Sequence, residues 1–471
     1  MNVVLIGVLV YVALQLVVGV LVSRRIATED DYLLAGRRFG YGLATFSFFA
    51  TWFGAETCIG SAGKIYREGL SGASADPFGY GACLLFMGLV FAAPLWRRRL
   101  TTLADLFRQR YSPGVERLAV VMMVPTSVLW AAAQIRGFGQ VLDASSGIGT
   151  AWGITLAAAV AIVYTGFGGM RADVITDLIQ GLMIILGLCV LFFAMFPSWG
   201  EAKAAWTQID PHRFNLVGGG KTFWQTLDAW AVPILGSVVA QELVSRALAT
   251  RSPEVARRSA LLGGGLYIAI GLIPAFMGLT GAALLPGLAD PEEILPQLAQ
   301  QHLSTFFYIL FAGALVSAIL STVDSTLLAA SSLTAHNLIL PLRPGITQTG
   351  KVRLSRIGVT AFGVVAWGLA WQAETLFGLV ESASAFGSAG IFVILMSGLF
   401  SRHGGAPSAF AALISGMAVW VFGTWMVPLD CVYLLSLAAA FTAYLAAIGI
   451  KPSRPPKDST ASGEDGVELK L

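Results

Sequence analysis

The sequence predicts an all-α polytopic membrane protein of about thirteen transmembrane helices, arranged as inverted five-helix repeats with two broken helices. Three features carry that expectation. Of 471 residues, 56% are hydrophobic and 12% charged, and the mean hydropathy is +0.73, which excludes a water-soluble fold of ordinary composition. Thirteen apolar segments are long enough to cross a bilayer. Two of them, five spans apart and entering from opposite sides, are interrupted by Gly, Pro or polar residues, the sequence mark of an inverted-repeat transporter.

In chain order the spans lie near residues 2–22, 40–66, 77–96, 115–142, 151–168, 173–196, 223–249, 258–285, 303–336, 352–372, 375–400, 406–427 and 429–449. The first lacks the positive start and cleavage site of a signal peptide and reads as a retained helix. Residues 1–22 are thus an extra N-terminal helix, 40–400 a ten-helix transport core and 406–449 two extra helices. Residues 450–471, polar and carrying Pro455 and Pro456, read as a disordered cytoplasmic tail. Starting outside puts 24 of the 30 Lys and Arg on the cytoplasmic side, among them Arg24, Arg25, Arg37, Arg38, Arg171 and the group from Arg246 to Arg258. The positive-inside rule then orients the N-terminus outside and the C-terminus in the cytoplasm.

Several chemistries find no support. A net charge of +3 does not argue for nucleic acid, and Cys58, Cys83, Cys189 and Cys431 have no metal or disulfide spacing. His212, His302, His336 and His403 fall in loops or span ends without ligand-spaced partners. The outer loop at residues 197–222, with Trp199, Trp206, Pro211 and Gly218 to Gly220, reads as a surface cap or a lid.

Polar residues inside the spans carry the functional signal. The stretch from Ala50 to Gly60 breaks span two and holds Glu56, and freed backbone groups at membrane depth are tolerated only in protein or along a wet cavity. The alternative is close packing at Gly54 and Gly60 with Glu56 paired to a neighbouring span. Span seven is interrupted between Ala231 and Gly236, where Pro233 marks either a break or an ordinary kink. In span nine Ala318, Ser321 and Ser325 recur at helical spacing beside Thr322 and Asp324, so several oxygens can face one small hard cation. Back-bonding of these hydroxyls is the alternative, although it needs no carboxylate. Span six adds Asp177, deep, and Asp173, near the cytoplasmic edge beside Arg171.

At these residues the sequence resembles the sodium:solute symporter family over residues 30 to 400, with features shared with bacterial proline-type and choline-type members. The marks are Asp31 to Gly36, Trp52 to Gly54, Gly168 and Gly169 through Asp177 and Gln180, and Val316 to Ser325. The resemblance implies a leucine-transporter-type core and sodium as coupling ion, with no other cofactor. Matched by position, the main sodium takes carbonyls of Ala50, Phe53 and Ala318 and hydroxyls of Ser321 and Thr322. A second sodium of some members matches Asp177, Ser321, Asp324 and Ser325. The choline branch is similar around Trp52, Tyr80, Trp130 and residues 318–332, whereas Glu56, Arg136 and Glu242 depart from it, and the acidic residue of proline carriers is replaced by Trp52.

The expected function is a sodium-coupled secondary active symporter of the plasma membrane, importing a small polar organic solute and performing no bond chemistry. Trp52, Glu56, Thr57, Tyr80, Trp130, Arg136, Gln241 and Glu242 are expected to meet the solute. Arg136, in span four, costs about 2.5–3.5 kcal/mol to insert without an anion. Glu56 and Glu242 are candidate structural partners, and a solute carboxylate is the other candidate. With the aromatics taking an ammonium by cation–π attraction, the pattern points to an amino acid or other zwitterion. Two facing carboxylates, Asp177 and Asp324, point to a second cation between them. The alternatives are a monocarboxylate or choline-like substrate, proton coupling through Asp177, Asp324 or Glu56, and a solute sensor, against which no kinase or receiver domain follows the last span.

Overall fold

The computed structural model describes residues 3–23, 28–217, 220–343 and 345–450. Arg24 and Arg25 after the first span, Gly218 and Gly219 of the outer loop, and residues 451–471, expected to form the tail, lie outside these. The described structure is helical, with one isolated bridge between Phe39 and Thr250. Among the described residues seven helices are long and apolar enough to cross a bilayer, and nine when two bent pairs are each taken as one span. Val3–Val17, Thr150–Gly166 and Val432–Ala446 are shorter apolar helices. Helix length alone therefore does not fix the expected thirteen.

Helix boundaries follow local chemistry. Ser112 and Ser252 cap helices Pro113–Ser146 and Pro253–Leu284, each with Pro at the first turn, where its missing N–H is harmless. Thr28 with Asp31, and Thr102 with Asp105, form reciprocal capping boxes on two short helices between spans, Glu29–Leu34 and Leu103–Arg110. Gly169, at φ 60° and ψ 176°, divides the run Thr150–Met195 in two, a conformation that only Gly adopts freely.

Helix Thr305–Ser332 is the axis of the molecule, buried at every position from Phe311 to Ser332. It packs on Thr150–Met195 and Pro113–Ser146. Large apolar side chains such as Leu14, Leu89, Val121, Phe193 and Leu272 remain outside, the surface a bilayer requires. The outer loop is pinned rather than loose: helix Trp199–Gln208 sets Trp206 parallel to Phe276 at 6.1 Å. Arg213 donates to the carbonyls of Ile65 (2.9 Å) and Tyr66 (2.7 Å) at the end of the broken span.

Both broken helices are present, one displaced from its expected place. Helix Tyr41–Trp52 stops and resumes at Glu56. In span seven, however, Pro233 sits inside a continuous widened turn, Val232–Gly236. The bend of 50° falls at Ala240, whose ψ of 130° ends the helix. A wider turn accommodates the proline without breaking the chain. A third interruption, at Phe386 and Gly387, bends span eleven by 40°.

At one end of the bundle Glu29 bonds Lys351 Nζ at 2.9 Å and pairs with His336 Nδ1 at 2.7 Å. Burial raises the Glu29 carboxyl, but His336 and Lys351 outweigh it and hold it below the usual carboxylate range. Stability from such a group is present above its ordinary pKa and lost as pH falls through the lower folded value. Glu29→Gln is expected to lower the unfolding temperature of the purified protein at pH 7, with the difference holding down to about pH 4.5 and closing only below it.

Candidate functional site

The first break is held open by side chains. Beyond Phe53, at φ −92° and ψ 78°, Gly54 N–H donates to Glu56 Oε1 at 3.3 Å instead of the Ala50 carbonyl. Ala55 N–H donates to Gln134 Oε1 at 2.9 Å, and Gln134 Nε2 donates to Glu56 Oε2 at 2.6 Å. The carbonyls of Ala50 and Phe53 thus end a helix whose last acceptors have lost their amide partners. Gly54 is required by space. A Cβ there would lie 2.5 Å from Gln134 Oε1, 2.6 Å from Glu56 Oε2 and 2.8 Å from Thr322 Oγ1. The break therefore abuts helix Thr305–Ser332 at Thr322, one turn from Ala318, whose carbonyl accepts Thr322 Oγ1 at 3.3 Å. Ser321 Oγ, beside it, donates to Asp177 Oδ1 at 2.7 Å.

Sequence reasoning missed the largest charge in the core. Arg246 was grouped with the cytoplasmic arginines, yet it is only 2% exposed. The turn at Ala240 sends half-helix Gln241–Leu248 inward, and all eight of its residues are buried. From there Arg246 donates to Thr51 Oγ1 (2.7 Å), Asp173 Oδ2 (2.7 Å) and Ser325 Oγ, touches Met170 Sδ (2.7 Å) and pairs with Asp177 Oδ2 (3.4 Å). Asp173, expected to pair with Arg171, belongs to this node.

Of the residues matched to a second sodium, Asp177, Ser321 and Ser325 are linked through hydrogen bonds and Arg246, while Asp324 bonds Thr165. Asp177 accepts from Ser47 (2.6 Å) and Ser321, Ser325 lies on Arg246, and Asp324 Oδ1 accepts from Thr165 at 2.5 Å. Charge repulsion around Asp177 is relieved by a guanidinium, so it does not by itself call for a cation there.

Among the residues expected at the solute, three rings converge. Trp52, on the first break, lies 4.7 Å from Trp130 and 5.5 Å from Tyr80, and Tyr80 lies 5.5 Å from Trp130. Tyr80 Oη meets Ser384 Oγ at 3.0 Å, which also accepts from Ser237 Oγ at 3.0 Å. Glu242 accepts from Ser127 Oγ at 3.2 Å and borders a narrow cavity with Trp130, Ser237 and Ser384. The indole N–H groups of Trp52 and Trp130 are buried without a partner among the described residues. Two expected residues are elsewhere. Arg136 donates to the carbonyls of Glu374 (2.7 Å) and Ala370 (3.5 Å), so neither Glu56 nor Glu242 pairs with it. There backbone carbonyls, rather than a carboxylate, accept from its guanidinium. Gln241 is occupied at both ends, accepting Leu103 N–H at 2.8 Å and donating to Ser245 Oγ at 2.8 Å. Thr57 bonds Asp76 Oδ2 at 2.7 Å, an acid the sequence reading passed over.

The model of the sodium:solute symporter family matches residues 32–416. The chain belongs to this family. Among its relatives, high-affinity choline transporter 1 of Drosophila melanogaster is 25% identical over 446 residues, covering 89% of this chain and 70% of that protein. The high-affinity proline transporter PutP of Bacillus subtilis (strain 168) is 28% identical over 430 residues, covering 86% and 88%. The sodium/pantothenate symporter of Escherichia coli (strain K12) is 25% identical, covering 82% and 83%. The fold matches a Na+-coupled sialic acid symporter in a substrate-bound outward-open state, with TM-score 0.83, 19% identity and coverage of 95% and 97%. Mhp1, a nucleobase-cation-symport-1 family transporter, follows at TM-score 0.61, 16% identity and coverage of 88% and 93%.

The protein is thus a multi-pass sodium-coupled symporter for a small polar solute on a leucine-transporter-type fold, and not an enzyme. In this symporter Arg246 ties its own half-helix to the first broken helix at Thr51, to Asp173 and Asp177, and to Ser325. Arg246→Ala would strand two buried carboxylates, a change that costs about 3–5 kcal/mol when a buried pair loses one partner. The purified variant is expected to unfold at a clearly lower temperature, and Asp173→Asn in the same chain to recover part of the loss.

Proposed function

We propose that this symporter imports, with sodium, a small solute bearing an ammonium group and an oxygen acceptor, of choline or betaine type. The observation that carries the reading is the Trp52, Tyr80 and Trp130 cluster, with centroids 4.7–5.5 Å apart and two indole N–H groups without partners. Aromatic faces attract an ammonium by about 2 kcal/mol or more when desolvated, and Glu242 adds negative charge beside Trp130. A solute hydroxyl or carboxylate would answer the two indole donors. The high-affinity choline transporters among the relatives support the ammonium, and the proline transporter supports a zwitterion. The place of Arg136 removes the bidentate carboxylate grip that favoured amino acids, which moves the choice toward the ammonium end.

Sodium is held by the carbonyls of Ala50, Phe53 and Ala318 and the hydroxyls of Ser321 and Thr322. Binding there joins the first break to helix Thr305–Ser332, so that solute beside Trp52 and sodium stabilise one arrangement of the core. The ten-helix core at residues 40–400 lies in the plasma membrane, N-terminus outside and C-terminus in the cytoplasm, and moves between outward- and inward-facing states.

Uptake into proteoliposomes under a sodium gradient tests both halves. Ser321→Ala and Thr322→Ala should each raise the sodium concentration for half-maximal uptake about tenfold or more, since each removes an oxygen from a charged ligand. Unchanged sodium dependence in both would falsify this cation site. For the solute, choline and glycine betaine should compete for uptake, uncharged sugars should not, and Trp130→Ala should weaken the competitors by at least about tenfold. Competition by sugars alone would point to a different substrate class.

A further inference from the structure

A second acidic site lies on the outer side of the break, built from residues that neither the family's sodium pattern nor the aromatic cluster uses. Asp76 is fully buried, and Glu56, Thr57 and Tyr267 are each no more than 1% exposed. Asp76 Oδ2 accepts two hydroxyls, Thr57 Oγ1 at 2.7 Å and Tyr267 Oη at 2.9 Å, which themselves approach to 2.8 Å. Ser61 Oγ holds the Asp76 backbone carbonyl at 2.6 Å. The carboxyl of Glu56, next to Thr57 in the chain, is engaged on the other side by Gly54 N–H and Gln134 Nε2.

Two observations set this group apart from an ordinary buried acid. Among the described residues neither Glu56 nor Asp76 joins an ion pair, since Arg246 is committed to Asp173 and Asp177 and Arg136 to backbone carbonyls. Asp76 Oδ1, moreover, is buried with no hydrogen-bond partner among the described residues. A bare carboxylate oxygen in a membrane interior is costly. Protonating it is no remedy, because the new O–H would still lack an acceptor. A cation satisfies it, and the surrounding donors are all hard oxygens.

We propose that Asp76, with Thr57 and Tyr267, binds an alkali cation, sodium in the working transporter, at a site separate from Ser321 and Thr322. It anchors the outer half of the broken helix, Glu56–Ser61 and Ala62–Glu68, to the segment before Tyr80 and to helix Pro253–Leu284. Cation binding there steadies the path between the break and the Tyr80 ring. The inference rests on sodium coupling but not on the identity of the solute.

The test is thermal unfolding of the purified full chain titrated with sodium chloride, with N-methyl-D-glucamine chloride holding ionic strength constant. In Ser321→Ala/Thr322→Ala, sodium should still raise the unfolding temperature, as mass action requires of a remaining site. Adding Asp76→Asn should abolish that rise. Tyr267→Phe, which keeps the ring and removes one hydroxyl, should increase the half-saturating sodium several-fold and covers the case in which the Asp76 variant fails to fold. No sodium response in the double variant, a response that persists with Asp76→Asn, or an unchanged half-saturation in Tyr267→Phe each overturns the proposal. So does Asp76→Asn that keeps the sodium response and loses only the choline response, which would make Asp76 a solute contact. Should the double variant instead respond like the unmodified chain, the site at Ser321 and Thr322 fails while Asp76 is still judged by its own substitution.

Discussion

A single buried guanidinium organises one half of the transport core. Arg246 carries a charge that hydrocarbon rejects, and it is stable only because Asp173, Asp177, Ser325 and Thr51 converge on it. Those partners come from three other helical segments, so their convergence fixes how the segments sit around helix Thr305–Ser332. The node also reaches the hydroxyl face of that helix: Ser321 donates to Asp177, and Asp177 in turn pairs with Arg246. A sodium ion at the site proposed at Ser321 would meet a carboxylate whose charge is already shared.

The other half works by a different principle. There the helix break exposes backbone groups, and polar side chains rather than a countercharge replace the lost ladder. Gln134 is the hinge of this arrangement, receiving Ala55 N–H on one amide atom and giving the other to Glu56. Both acids on that side, Glu56 and Asp76, are held by neutral donors, and of the two only Asp76 has an oxygen without a partner among the described residues. Between the halves lies the aromatic cluster, bounded by Glu242 one turn before Arg246 on the same half-helix. The aromatic cluster, the proposed sodium residues and the fixed guanidinium thus lie along one short half-helix and one break.

How much of the site was legible varied with the range of the interaction. Glycine and polar residues within an apolar run announced the break at Phe53 and Gly54, and the hydroxyl spacing on span nine announced one polar face. Pro233 misled, because a widened turn absorbs a proline whereas the bend at Ala240 bears no sequence mark beyond its backbone angles. Arg246 misled for the same reason. Counted along the chain it belongs with Arg251, Arg257 and Arg258, and only the inward turn separates it from them. Arg136 was recognised as needing acceptors, but backbone carbonyls are invisible to a search for carboxylates.

By itself, the sequence determined that the chain spans a membrane in many helices, that two of them break, and that the family is one of sodium-coupled symporters. Composition, apolar length and local motifs act over a few residues and need no partner. Tertiary structure alone decided which acids are paired. Asp173 and Asp177 found Arg246, Asp324 found Thr165, Glu56 found Gln134, and Asp76 kept one oxygen bare. The reason is physical: in a low-dielectric interior the role of a charge is set by what lies within about 4 Å, and in a fold of crossing helices those neighbours come from segments far apart in the chain.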